Sequence, residues 1–144
     1  MSSRFVHLHL HTEFSLADSI IRVPEKPDHA DPKKAKQANL LSRAVELGMP
    51  ALAVTDRNNL FALVKFYKAA EGVGIKPIAG ADVMVAEGGE APWPVTLLCR
   101  DREGYLSLSR LLSRAWMEGH RTDGVAIEPE WLRADHQGLF AIIG

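Results

Sequence analysis

The chain has 144 residues, 17 basic against 18 acidic side chains, a formal net charge of −1 and 47% hydrophobic residues. That size and composition fit one packed domain or part of one, and the even charge balance argues against a dedicated nucleic-acid-binding module, which needs a basic excess to meet phosphates. The single cysteine, Cys99, excludes an internal disulfide and suits a reducing compartment. No apolar run nears the ~20 residues of a membrane span. Met1-Ser2-Ser3-Arg4-Phe5 lacks a charged region followed by an apolar one, so no signal peptide is expected and a cytoplasmic protein is.

Arg4–Leu10 reads as a first strand, apolar after Arg4 apart from its histidines and so expected to be buried on both sides. His7, His9 and His11 alternate with Leu8 and Leu10. On a strand this places three imidazoles on one face and Val6, Leu8 and Leu10 on the other. Imidazoles at i and i+2 can converge on one ion, and Asp18, on the loop beyond, can join them. His7 itself reads better as a core histidine than as a ligand. Thr12–Pro32, with Pro24, Pro27 and Pro32, is a long loop of the kind compact domains keep for function. Its part from Pro24 to His29 reads equally as a solvated insertion.

Asp31-Pro32 offers an N-cap followed by proline at the first helical position, and a helix over Lys33–Leu47 follows, with Ala38, Leu41, Ala44 and Val45 as its stripe and Gly48 as its end. Lys33, Lys34 and Lys36 read as a solvated helix face. Ala51–Thr55 is a short buried strand, and Asp56 follows it, at the strand end where α/β barrels place their chemistry. Asn58 or Asn59 can cap a helix over Leu60–Glu71 that buries Leu60, Leu63, Val64 and Tyr67. Ile75–Ala86 holds a third strand, entered through Pro77 and interrupted at Gly80-Ala81-Asp82. Glu87–Glu90 is a turn, and Trp93–Cys99 a fourth strand, apolar apart from Thr96. Asp101 can cap a helix to about Trp116 that buries Tyr105, Leu108, Leu111, Leu112 and Ala115. Gly119–Gly124 is a loop, Glu128-Pro129 opens a short helix through Arg133, and Leu139–Ile143 is a fifth strand. Strands alternating with helices point to an α/β fold with mostly parallel strands. The last strand has no helix to cover it, so the chain is expected to be the front part of a longer domain.

The candidate ligands near strand ends are His9 with His11, Asp18, Asp56 and Asp82. Imidazole nitrogen with carboxylate oxygen suits zinc, manganese or iron(II), and an open metal position would supply hydroxide and polarise a phosphoryl oxygen. Each carboxylate also has a plainer role: Asp56 can cap a helix, and Asp82 can satisfy backbone donors at a strand break. His29, His120 and His136 fall in loops or at element ends and are expected to face solvent. There is no Gly-x-Ser-x-Gly elbow, phosphate-binding Gly-x-x-x-x-Gly-Lys or Gly-x-Gly-x-x-Gly. Cys99, inside an apolar strand, reads as core rather than nucleophile.

Three stretches, Phe5–Ser15, Gly48–Asp56 and Gly74–Asp82, together with Asn59-Leu60, Val64–Tyr67 and Gly104–Leu106, resemble the PHP (polymerase and histidinol phosphatase) family. The likeness is greatest to the N-terminal PHP domains of bacterial DNA polymerase III alpha subunits, and it runs in order from about Phe5 to Gly144. It implies a seven-stranded (β/α) barrel, here only in part, with a multinuclear metal site at the strand C-termini. It also implies membership of a replicative polymerase whose DNA-directed DNA polymerase centre lies outside this chain.

Matched residue by residue, His9 and His11 take the place of the family's paired histidines, and Asp18 that of the ligand following them. Asp82 stands where metal-binding members usually have glutamate. Arg57 and Pro94 stand where they have histidines. Arginine cannot ligate a cation, although its guanidinium can pair with Asp56, Asp82 or Asp18 and take the space of a metal. The resemblance thus implies a degraded site for zinc, manganese or magnesium, with no confident catalytic residue. Three functions follow. The favoured one is a structural module that docks the proofreading exonuclease subunit within the polymerase III holoenzyme, meeting DNA only through the parent polymerase. The others are an active metal-dependent phosphoesterase or 3′–5′ exonuclease, and a stand-alone enzyme of histidinol-phosphatase type.

Overall fold

The computed structural model describes residues 5–23 and 39–144. In chain order these form a short 3-10 helix (Glu13–Asp18), α1 (Leu40–Glu46), β1 (Ala51–Arg57), α2 (Leu63–Gly72), β2 (Lys76–Val85), β3 (Trp93–Cys99), α3 (Arg102–Glu118), the two-residue strands β4 (His120–Arg121) and β5 (Gly124–Val125), α4 (Pro129–Ala134) and β6 (Leu139–Ile142).

The central sheet has the order β1-β2-β3-β6. β1 and β2 are parallel, with Thr55 level with Gly80 and Arg57 level with Asp82. β3 is antiparallel to β2, with Thr96 level with Asp82, and β6 is antiparallel to β3. Thus β1, β2 and β6 run one way, as expected of mostly parallel strands, and β3 alone runs against them. The reversal follows from the connection: the turn at Glu87–Glu90 is too short for a parallel crossover, which takes a dozen or more residues.

One sheet face is packed under helices. Val83, Val85, Val95 and Leu97 meet Leu108, Leu111, Leu112 and Ala115 of α3, each large side chain contributing about 1.5–3 kcal/mol over its exposed state. Leu52 and Val54 of β1 meet Phe66, Ala69 and Ala70 of α2, with Leu41 and Ala44 of α1 and Val23. By strand alternation the opposite, inner face carries Thr55 and Arg57, then Gly80 and Asp82, then Thr96 and Leu98, then Phe140 and Ile142. Gly80 is required there: a Cβ would lie 2.6 Å from the Leu97 carbonyl oxygen and 2.7 Å from Leu98 Cδ2. The strand is therefore continuous through Gly80-Ala81-Asp82 rather than interrupted, and the glycine marks close packing, not a break.

Several expectations need correction. Arg4–Leu10 does not form a regular strand. Its described part touches β1 through one bridge, His7 to Leu52, and Phe5 and Leu8 are exposed rather than buried. The proposed helix start at Asp31-Pro32, with Ala38, the three lysines and His29, lies outside the described residues. The described helix α1 begins at Leu40, with Asn39 as N-cap in a capping box with Ser42, and its Val45 is exposed. Helix α2 buries Phe66, Ala69 and Ala70, while Val64 and Tyr67 face outward. Both sets recur at helical spacing, and the packed core takes Phe66 and the smaller alanines. Tyr105 on α3 is likewise exposed. Gly119–Gly124 belongs to a tight hairpin rather than an open loop. Asp101 does cap α3, accepting the Gly104 N–H at 3.0 Å.

Candidate metal centre

The histidine segment runs beside β1 with its ladder broken. Ala53 N–H donates to His7 O at 2.9 Å, and Thr55 N–H to Leu10 O at 2.8 Å. Two residues of β1 thus span three of the segment, a bulge. The Leu10 N–H, which regular pairing would spend on a backbone carbonyl, goes to the Thr55 hydroxyl at 2.9 Å.

From within the bulge and just past it, His9 and His11 reach the same atom. Each Nε2 lies 2.5 Å from Asp82 Oδ2, and the rings stand edge to face with centroids 5.1 Å apart. The other carboxylate oxygen, Oδ1, accepts the Thr96 hydroxyl at 2.5 Å. Asp82 is 5% exposed. Burial acts to raise its pKa, but the hydrogen bonds from Thr96, His9 and His11 outweigh that, so the carboxyl sits below the ordinary aspartate range. The His9 side chain is 59% exposed and that of His11 18%, so the cluster opens to solvent on the His9 side.

His7 takes no part. It is exposed and packs edge-on against Phe5 at 5.0 Å, which corrects its reading as a core histidine: with the strand irregular, its side has no packed layer to enter. Asp56 lies on the other face of β1 and is 1% exposed. Its Oδ1 accepts the Thr12 N–H and the Ser15 hydroxyl, both at 2.6 Å, and its Oδ2 the Thr12 hydroxyl at 2.7 Å. Ser15 Oγ in turn accepts the Arg57 N–H at 3.0 Å. Asp56 therefore fastens the 3-10 helix to the end of β1. It neither joins the metal-type cluster nor caps α2, whose N-cap, Ala62, has no side-chain cap bond. Asn58 takes a left-handed conformation (φ 54°) and Asn59 Oδ1 accepts the Phe61 N–H, so the asparagines shape the turn ahead of that helix.

Asp18, at the end of the 3-10 helix, is turned to Arg57: Oδ2 lies 3.2 Å from Nε. It is not among the residues whose donor atoms gather, which among the described residues are His9, His11 and Asp82, within 4.8 Å of one another. Pro94, level with Met84 and on the same face as Thr96, is exposed and offers no ligand. Sequence reasoning missed Thr96 as the group orienting Asp82, Thr12 and Ser15 as the partners of Asp56, and Thr55 as the cause of the bulge. The one available signal was Thr96 as the lone polar residue of an apolar strand. His120 and His136 are exposed, as expected. Cys99 is a free thiol; burial first, then the Asp101 charge, push it up to about 11, which suits the core reading.

Two imidazoles and one carboxylate are the right donors for zinc or manganese. The fit is partial. The donors now sit at hydrogen-bond distance, whereas an ion with bonds of about 2.0–2.1 Å spaces its ligands about 3.3 Å apart, so the Asp82 carboxylate would have to turn to admit one. One ion is the most these three residues can hold.

The family model for the PHP domain matches residues 7–144. DNA polymerase III subunit alpha of Xylella fastidiosa (strain 9a5c) is 72% identical over 144 residues, covering 99% of this chain and 12% of that protein. The same subunit of Pseudomonas aeruginosa is 46% identical (99% and 11%) and that of Escherichia coli K12 40% identical (98% and 11%). The chain thus spans about an eighth of the length of these relatives. Two solved structures share the fold: a protein from Bifidobacterium adolescentis described as a "putative metal-dependent phosphoesterase" (TM-score 0.50, 16% identity, covering 78% of this chain and 33% of that one) and an amidohydrolase from Chromobacterium violaceum (TM-score 0.51, 22% identity, 76% and 32%). The histidine pair, the strand-end carboxylates and the α/β sheet that joins them accord with the family match: this chain belongs to the PHP family.

Proposed function

We propose that this chain is the N-terminal portion of a PHP barrel in a replicative polymerase alpha subunit, where it serves as a structural and docking module for the proofreading exonuclease subunit and keeps only part of a metal site. The observation that carries the reduced-site reading is the pair Asp18–Arg57: a carboxylate in a ligand position is engaged by a fixed guanidinium instead of an ion. Three donors remain, and the rim position of Pro94 supplies none. Polymerisation and DNA contact belong to the rest of the parent subunit, in the cytoplasm. No helix among the described residues is long and apolar enough to cross a membrane.

The inner face supports the partial-barrel reading. Below the polar cluster it is an apolar groove lined by Val6, Leu8, Ile78, Leu98, Phe140 and Ile142, a surface the remaining barrel strands would cover. Residues 1–144 alone are therefore expected to self-associate through exposed sheet and apolar surface; sedimentation showing a stable monomer would count against an unfinished barrel. For docking, the complete subunit is expected to capture the purified exonuclease subunit and to lose it when the PHP segment is deleted. Capture undiminished by the deletion would remove the proposal.

The second reading, an active metal-dependent phosphoesterase or 3′–5′ exonuclease, is favoured by the convergence of His9, His11 and Asp82. A phosphodiesterase assay on the complete subunit, comparing the wild type with His9→Ala, separates the two. Metal-dependent hydrolysis abolished by His9→Ala would establish the second; hydrolysis absent from both supports the first.

A further inference from the structure

We infer that the Arg57 guanidinium is an internal competitor of the metal ion: it holds Asp18 away from the His9–His11–Asp82 cluster and lowers the affinity of that cluster for a divalent cation. The inference rests on the reduced-site reading and deepens it, because it assigns the reduction to one removable charge as well as to missing ligands.

Arg57 and Asp82 are level across the β1–β2 pair, and residues level in this way project from the same face. The Arg57 side chain therefore leaves the sheet on the face that carries the carboxylate gathering the two imidazoles. It is held at one edge, by Asp18 Oδ2 at 3.2 Å from Nε. Its backbone is fixed independently, since the Arg57 N–H donates to Ser15 Oγ, which is itself bonded to the buried Asp56. Asp18 ends the segment that the same two residues anchor. The pair is thus built on a rigid strand end and needs no ion to hold it.

Charge gives the direction. With neutral imidazoles, Asp82, Asp18 and Arg57 sum to −1; without the guanidinium they sum to −2, and Asp18 is released as a fourth donor beside two imidazole nitrogens and the Asp82 oxygen. A divalent cation gains from both changes. One unit charge several ångströms from a dication in a partly exposed site changes its affinity by about tenfold. The arginine and the ion compete for one carboxylate, so whatever favours one displaces the other.

The test is Zn2+ titration calorimetry on the metal-stripped complete subunit, with the His9→Ala/His11→Ala variant as the blank for ions bound elsewhere. Arg57→Ala is expected to bind the ion about tenfold more tightly than the wild type. Arg57→Lys, which keeps the charge, should stay within about threefold of the wild type. Arg57→Ala/Asp18→Asn should return toward wild-type affinity. A thermal melt without metal verifies that each variant is folded. Equal or weaker binding by Arg57→Ala, or tight binding that survives in the double variant, overturns the inference; so does absence of blank-corrected binding in every variant. Tight stoichiometric binding by the wild type would instead overturn the reduced-site reading, and Arg57→Ala compared with it would still decide the competition.

Discussion

Asp56 and Asp82 are buried carboxylates near the ends of neighbouring parallel strands, and they are supplied in different ways. Asp56 is closed by the Thr12 amide and by the Thr12 and Ser15 hydroxyls, all of which donate to it and tie it to the loop. Asp82 is closed by one hydroxyl and two imidazoles, and the imidazoles also ligate metals. The first carboxylate fastens a loop. The second organises a site. Neighbouring carboxylates in similar strand positions thus differ in purpose according to which groups donate to them, and that depends on the face of the sheet each one enters.

The comparison can be broken at several points. Asp56→Ala is expected to cost most, about 3–5 kcal/mol, because it leaves an amide and two hydroxyls buried without acceptors; urea unfolding measures it, and a loss below about 1 kcal/mol would deny Asp56 its fastening role. Gly80→Ala should cost about 1–3 kcal/mol, since the new methyl meets the β3 backbone. It should also loosen zinc retention, because Asp82 lies two residues along the same strand. Asp82→Asn keeps shape and the Thr96 partner, so its stability cost should be nearer 1 kcal/mol, while any bound ion is lost. Asn39→Ala, at the start of α1 and in neither carboxylate's donor set, should cost about 1 kcal/mol through loss of its cap and leave zinc binding unchanged.

The smallest effect concerns pH. Arg110 holds Asp135 through two bonds of 2.7 Å and keeps its carboxyl below the ordinary range. A depressed carboxyl stabilises the fold above its unfolded pKa and loses that contribution as pH falls through the folded value. The stability gap between wild type and Asp135→Asn should therefore narrow as pH drops from about 6 toward 3. A gap that widens on acidification would contradict the assignment.

Much of this was legible in the sequence, for physical reasons that can be named. Alternating histidines, a strand-end aspartate, the Asp101 cap and the apolar strand Trp93–Cys99 are local patterns, and the structure has them. The β3 direction was available from the short connection that precedes it. The buried face of α2 was not available, because Val64 and Tyr67 recur at the same spacing as Phe66 and Ala69, and only the neighbouring sheet chooses between them. The bulge in the histidine segment was also hidden, since it depends on the Thr55 hydroxyl replacing a backbone acceptor. So was the donor set of Asp56, which the sequence left among the candidate ligands and the structure assigns to the loop. Arg57 had three possible carboxylate partners in the sequence, and the fold pairs it with Asp18.

The most direct measurement is the zinc and manganese content of the complete subunit purified without chelator, compared with His9→Ala and Asp56→Ala. Substoichiometric metal in the wild type, with Asp56→Ala unfolding easily and His9→Ala remaining as stable as the wild type, is the expected result. One tightly held ion per chain, lost together with fold stability in His9→Ala, would contradict a reduced site and make the histidine cluster a working metal centre.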